Sequence, residues 1–180
     1  THMSADEIHA LGLSEVERIE REMVAILDSQ GIQGTTLAER IEQLNTAPAQ
    51  NFPNTDAGRA EMIAYLHQIN DRVMAAAPKF FLTIQPQPLE IVRVPEYSQD
   101  SSPGGYYNPP ALDGSRPGRF YINQKDTADN PKWTLPTLMI HEGAPGHHFQ
   151  LSAQQLIKGV PMLRKVLPFG AYDEGWALYA

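Results

Sequence analysis

Thr134-Leu135-Pro136-Thr137-Leu138-Met139-Ile140-His141-Glu142-Gly143-Ala144-Pro145-Gly146-His147-His148 is the stretch on which the reading of this chain turns. A Thr cap, an early Pro and an apolar face predict a helix running into His141-Glu142. Pro145 ends it, because proline has no N–H for the carbonyl of His141 four residues back and its ring clashes with that carbonyl. Gly143 and Gly146 allow the backbone to bulge and resume. On an unbroken helix the imidazole at i+6 points about 120° away and the one at i+7 stands about 10.5 Å further along, too far apart to share a metal. The Pro-Gly break removes that obstacle. The stretch then reads as His-Glu-x-x-His with two inserted residues, which makes His147 the natural second ligand to His141 and His148 its close competitor. Two imidazoles holding a metal, with a Glu beside the first to activate water, is the arrangement that zinc hydrolases use. A plain helix terminus with capping histidines accounts for Pro145 and Gly146. It accounts neither for Glu142 directly after His141 nor for the paired histidines after the break.

Downstream, a helix from Phe149 to Lys158 and a Gly159-Val160-Pro161 turn lead to Tyr172-Asp173-Glu174-Gly175-Trp176-Ala177-Leu178-Tyr179. This is an acidic pair at the start of an apolar helical run. Carboxylates near a helix N-terminus are favoured by its dipole, so one of Asp173 and Glu174 can cap while the other reaches the metal.

Upstream, residues 4 to about 77 are helical. Ser4 and Ser14 each precede a Glu by three residues, as does Thr36, the pattern of a capping box. Val16, Ile19, Met23, Ile26 and Leu27 keep a helical period that Gly31 and Gly34 end. A longer helix from Thr55 or Asp56 to about Ala77 carries Met62, Ile63, Leu66, Ile69 and Val73 on one stripe, and Pro78 closes it. His9 and His67 lie inside these helices and carry no role. Between Pro78 and Pro131 three strand-like pieces, 89–94, 105–108 and 119–123, fit a small antiparallel sheet. The fold expected is mainly α with that sheet, an α+β class with a zincin-like metal-binding helix. Its divisions are a cloning scar (1–3), a helical region (4–78), a Pro/Gly-rich region with the sheet (79–130) and the metal-site helices (131–180).

The 180 residues include no Cys, which excludes a disulfide scaffold, a Cys-ligated metal and a thiol nucleophile. A net charge of −7 with scattered basic residues argues against a nucleic-acid partner. No apolar run approaches the roughly 20 residues that cross a bilayer. Only six residues follow Glu174, and Trp176, Leu178 and Tyr179 lack an evident partner. The chain is therefore expected to be a fragment of a larger helical protein that holds zinc more weakly than the whole.

The sequence His-Glu-Gly-Ala-Pro-Gly-His-His-Phe-Gln at 141–150, with Glu-Gly-Trp-Ala-Leu-Tyr at 174–179, resembles the bacterial family known as domain of unknown function 885. Asp-Gly-Ser-Arg-Pro-Gly-Arg-Phe-Tyr-Ile-Asn at 113–123 and the N-terminal Ala-Asp-Glu-Ile-His-Ala-Leu-Gly-Leu are similar to it as well. Such proteins are regarded as zinc metallopeptidases, mostly helical and often exported. The resemblance implies zinc ligands at His141, His147 and Glu174, a general base at Glu142, a peptide substrate and a periplasmic or envelope location. His148, Tyr106, Tyr107, Tyr121 and Arg116 are candidates by type for stabilising the oxyanion. The function expected is zinc-dependent peptide hydrolysis. Its alternatives are an Fe(II) enzyme with a two-His-one-carboxylate triad and a non-catalytic fragment with an incomplete metal site.

Overall fold

The protein is described here from a computed structural model covering residues 2–167 and 169–180. Thr1 of the expected cloning scar lies outside them. The chain divides into two units, one ending at Gln50 and one from Asn51 to Ala180.

In the first unit, Ser4 opens α1 (Ala5–Ser29) with a capping box: its hydroxyl accepts from the Glu7 amide, and the Glu7 carboxylate accepts from the Ser4 amide at 2.7 Å. Ser14, expected to start a helix, instead lies inside α1, where its hydroxyl donates to the Leu11 carbonyl at 2.8 Å. The reason is that nothing between residues 5 and 14 breaks a helix; Gly12 alone costs only about 1 kcal/mol. α1 stops where Gly31 takes φ 73°, and the Ile32 and Gly31 amides bond the Leu27 and Asp28 carbonyls in a Schellman motif. α2 (Leu37–Thr46) starts at Thr36 with a second capping box to Glu39, and Arg40 joins the two helices through Asp28 at 2.7 Å. Of the α1 stripe, Leu27 is buried, whereas Val16, Ile19 and Ile26 stay exposed.

The second unit begins with α3 (Asp56–Ala76), capped by the Thr55 hydroxyl. Its stripe is the expected one, with Met62, Leu66 and Ile69 buried. The sheet follows as β1 (Leu89–Arg93), β2 (Gly105–Asn108) and β3 (Gly118–Ile122), in the order β1-β3-β2. The α+β class stands, but the sheet is mixed rather than antiparallel throughout. After β1 the chain makes a 3-10 turn over Glu96–Ser101 and reverses into β2. The β2–β3 hairpin then returns β3 alongside β1 in the same direction.

Ile91, Phe120 and Tyr107 are register neighbours and so share one face of the sheet. On the other face, Tyr106 and Tyr121 stack with ring centroids 4.8 Å apart. The core joins Phe52, Met62, Leu66 and Ile69 to Ile91, Phe120 and Ile122 of the sheet and to Leu135 and Met139 of α4 (Leu135–Glu142). Gln124 and Arg59 add a reciprocal link, the Arg59 guanidinium donating to the Gln124 carbonyl and the Gln124 amide to the Arg59 carbonyl. Phe120 is fully buried at the centre of this cluster. Phe120→Ala should therefore cost about 3–5 kcal/mol in urea unfolding; a loss below about 1 kcal/mol would move the core elsewhere.

α5 (His147–Leu156), α6 (Met162–Val166) and α7 (Gly170–Tyr179) complete the unit. α5 starts two residues earlier than expected, directly after the Pro145-Gly146 break.

Candidate metal centre

The break between α4 and α5 places the first two side chains. At Gly146 a Cβ would stand 2.1 Å from the His141 carbonyl oxygen and 2.4 Å from that of Ile140. Only a glycine lets the chain pass this close to the last turn of α4, and its amide bonds the Ile140 carbonyl at 3.0 Å. The turn then sets His147 at the start of α5 against His141 near the end of α4, with ring centroids 4.7 Å apart. The convergence that a straight helix forbids is thus achieved within six residues.

α7 supplies the third group, and its two acidic residues part company. Asp173 is buried; it accepts from the Phe169 amide at 2.7 Å, closing the first turn of α7, and from the Gln150 side chain at 2.8 Å. Glu174 turns to the histidines, with one oxygen 3.3 Å from His141 Nε2 and the other 3.7 Å from His147 Nε2. Trp176 fixes the height of α7, since its indole N–H donates to the Pro145 carbonyl at 2.8 Å and so ties the helix to the break itself. Trp176, expected to lack a partner, thus finds one in this unit, with its ring also 6.4 Å from that of Phe81, whereas Leu178 and Tyr179 stay exposed.

Among the described residues, His141, His147 and Glu174 form the group that could hold a metal ion, with one ligand atom from each lying within 4.8 Å of the others. Atoms bound to one zinc at about 2.0 Å lie at most about 4 Å apart, so side-chain adjustments of about an ångström close the set. The donor chemistry fits too. Burial holds the His147 imidazole below its usual titration range, which keeps it neutral, as a ligand must be.

Glu142 follows His141 and lines the same cleft. It is buried, and its carboxyl is pushed up to about 7, first by burial and then by the negative charge of Glu174. A cation at Glu174 would offset the second effect and return the carboxyl toward its ordinary range.

His148 lies apart from this group. Its Nε2 is 3.0 Å from the Gln87 carbonyl and its Nδ1 is 2.8 Å from the Tyr107 hydroxyl. A carbonyl only accepts, so Nε2 carries the proton and Nδ1 accepts from Tyr107. The pair is packed tightly: a Cβ at Gly118 would come within 2.4 Å of the Tyr107 oxygen and 2.7 Å of His148 Nδ1. Of the residues expected to act, the structure brings together His141, Glu142, His147 and Glu174. It sets His148 behind Tyr107, which itself lines the cleft with its ring 6.5 Å from that of His147. Tyr106 and Arg116 also line the cleft, which holds about 700 Å³. Tyr121, stacked on Tyr106, is on the sheet face opposite to Tyr107.

The family model for "Bacterial protein of unknown function (DUF885)" matches residues 1–180. The chain belongs to the bacterial DUF885 family. It is also similar to a solved structure from Colwellia psychrerythraea described as "the putative lipoprotein", at 40% identity and a TM-score of 0.94. That match covers 99% of this chain and 31% of the Colwellia chain, so the residues described here span about a third of that relative's length. A comparison with curated proteins finds no match. No helix among the described residues is long and apolar enough to cross a membrane.

Proposed function

We propose that this family member is a zinc-dependent peptidase. The observation that carries the reading is the convergence of His141, His147 and Glu174 from three helices, with Glu142 buried beside them in one cleft. A zinc ion held by these three side chains supplies Lewis acidity, which polarises a carbonyl oxygen and acidifies water. Glu142 takes the proton from the attacking water and returns it to the departing amine. Its burial serves that cycle, because desolvation raises the proton affinity of the carboxylate above that of an exposed one, which makes it the better acceptor. Tyr107 shapes the wall next to His147 and holds its hydroxyl on His148, with burial keeping that hydroxyl protonated. The lipoprotein description of the Colwellia relative supports an exported, envelope-associated location for this chain as well.

The test is metal analysis of the purified protein together with turnover of a mixed peptide library. One zinc per chain and chelator-sensitive cleavage are expected. Bound iron without cleavage would favour the oxygen-dependent chemistry of a two-His-one-carboxylate site, and no bound metal would reduce the cluster to a structural one.

A further inference from the structure

The cleft that holds the histidines and Glu142 is also lined by two cations, Arg116 and Lys165. Neither has a carboxylate within ion-pair distance among the described residues. Of the three carboxylates that share the cleft, Asp173 is engaged with the Phe169 amide and Gln150 and Glu174 with the two imidazoles, while Glu142 is buried beside His141 and pairs with neither cation. Arg116 is half-buried and is held by backbone carbonyls alone, Nη1 donating to Pro117 at 3.0 Å and Nη2 to Pro109 at 2.6 Å. Lys165, half-buried on α6, donates to the Gln155 carbonyl at 2.9 Å.

These contacts use two of the five N–H groups of Arg116 and one of the three of Lys165. The rest are open to a ligand. A half-buried cation facing only carbonyl dipoles lacks the counter-charge that normally offsets its lost hydration. Its mounting is stiff besides. Arg116 sits on the β2–β3 connection among Pro109, Pro110 and Pro117, closed by the Ala111 amide bonding the Arg116 carbonyl at 3.0 Å. Gln155 of α5 donates to the Pro110 carbonyl at 2.9 Å and, through its own carbonyl, holds Lys165. One residue of α5, through its side chain and its backbone carbonyl, thereby sets the loop and α6 on the same rim. A preorganised guanidinium fork is the geometry that recognises a carboxylate.

We propose that Arg116, assisted by Lys165, anchors a carboxylate of the peptide substrate, so that cleavage occurs close to that carboxylate. The proposal rests on the peptidase reading of the site and narrows its substrate class. A sphere of 700 Å³ is about 11 Å across, the reach of about three extended residues. A peptide held by its terminal carboxylate at Arg116 would thus present a bond within a few residues of its C-terminus to Glu142. The carboxylate could equally belong to an acidic side chain, and the substrates must tell the two apart.

Three N-acetylated hexapeptides of one alanine-rich sequence serve as probes: a free C-terminal acid, its C-terminal amide, and that amide with glutamate as the last residue. Turnover is measured on the zinc-loaded protein, and affinity by calorimetry on its Glu142→Gln variant. The free acid should exceed the amide by about 10- to 100-fold in kcat/KM and in affinity, the scale of a hydrogen bond to a charged group. Arg116→Gln should collapse that ratio toward one, and Arg116→Lys should retain part of it. A role for Arg116 in bracing the loop alone would lower both substrates together and leave the ratio intact. Recovery with the glutamyl amide assigns the anchor to an acidic side chain. Equal rates and affinities for all three peptides overturn the anchor and leave peptide hydrolysis standing. Preferential binding of the free acid without any turnover keeps the anchor and overturns the peptidase reading; no binding and no turnover overturns both.

Discussion

Glu142→Gln is expected to lower peptide turnover by about a hundredfold or more while metal content stays unchanged. The substitution keeps the shape of a side chain that is 8% exposed and removes its capacity to accept a proton. Metal content should hold because the group that could hold an ion is His141, His147 and Glu174, with Glu142 outside it. Burying a neutral amide in place of a carboxyl pushed up to about 7 also relieves a desolvation cost, so the variant should melt no lower than the parent without metal. Turnover, metal analysis and a melting curve on one preparation check all three points. Loss of metal along with activity would make Glu142 a ligand and remove the base from the mechanism.

Replacing the imidazoles separates the two neighbours at 147 and 148. His141→Ala and His147→Ala should each weaken zinc binding by more than about a hundredfold, since even partners outside the ligand shell cost 10- to 100-fold when removed. His148→Ala should leave zinc affinity within that lesser range, because its nitrogens face Gln87 and Tyr107. Its effect falls on stability instead, as the buried Tyr107 hydroxyl loses its acceptor. Competition against a chelator of known affinity measures all three variants. If His148→Ala strips the zinc and His147→Ala does not, the second ligand is the other histidine and the turn at Gly146 is set differently in the metal-bound protein.

Much of this arrangement was legible along the chain because it rests on local chemistry. The capping boxes at Ser4 and Thr36, the stop at Gly31, the Met62-Leu66-Ile69 stripe and the break at Pro145 each depend on residues within one or two turns of one another. So does the pairing of His141 with His147, since the missing amide of Pro145 and the bare Cα of Gly146 suffice to turn the backbone.

Other features depend on residues far apart in sequence. A capping-box pattern at Ser14 looks the same as the one at Ser4, and what distinguishes them is that α1 is already helical when it reaches Ser14. The parallel pairing of β1 with β3 follows from which strand the hairpin inserts between the other two, a choice made by the shared core of Ile91, Phe120 and Met139. Asp173 and Glu174 are equivalent as helix-start carboxylates. They differ only once Gln150 of α5 claims the first and the two imidazoles face the second. His148 likewise has the same composition and nearly the same position as His147, yet α5 turns successive side chains about 100° apart. One imidazole therefore enters the cleft and the next enters the wall against Tyr107, because a helix assigns directions by rotation and only the packed neighbours give those directions a meaning.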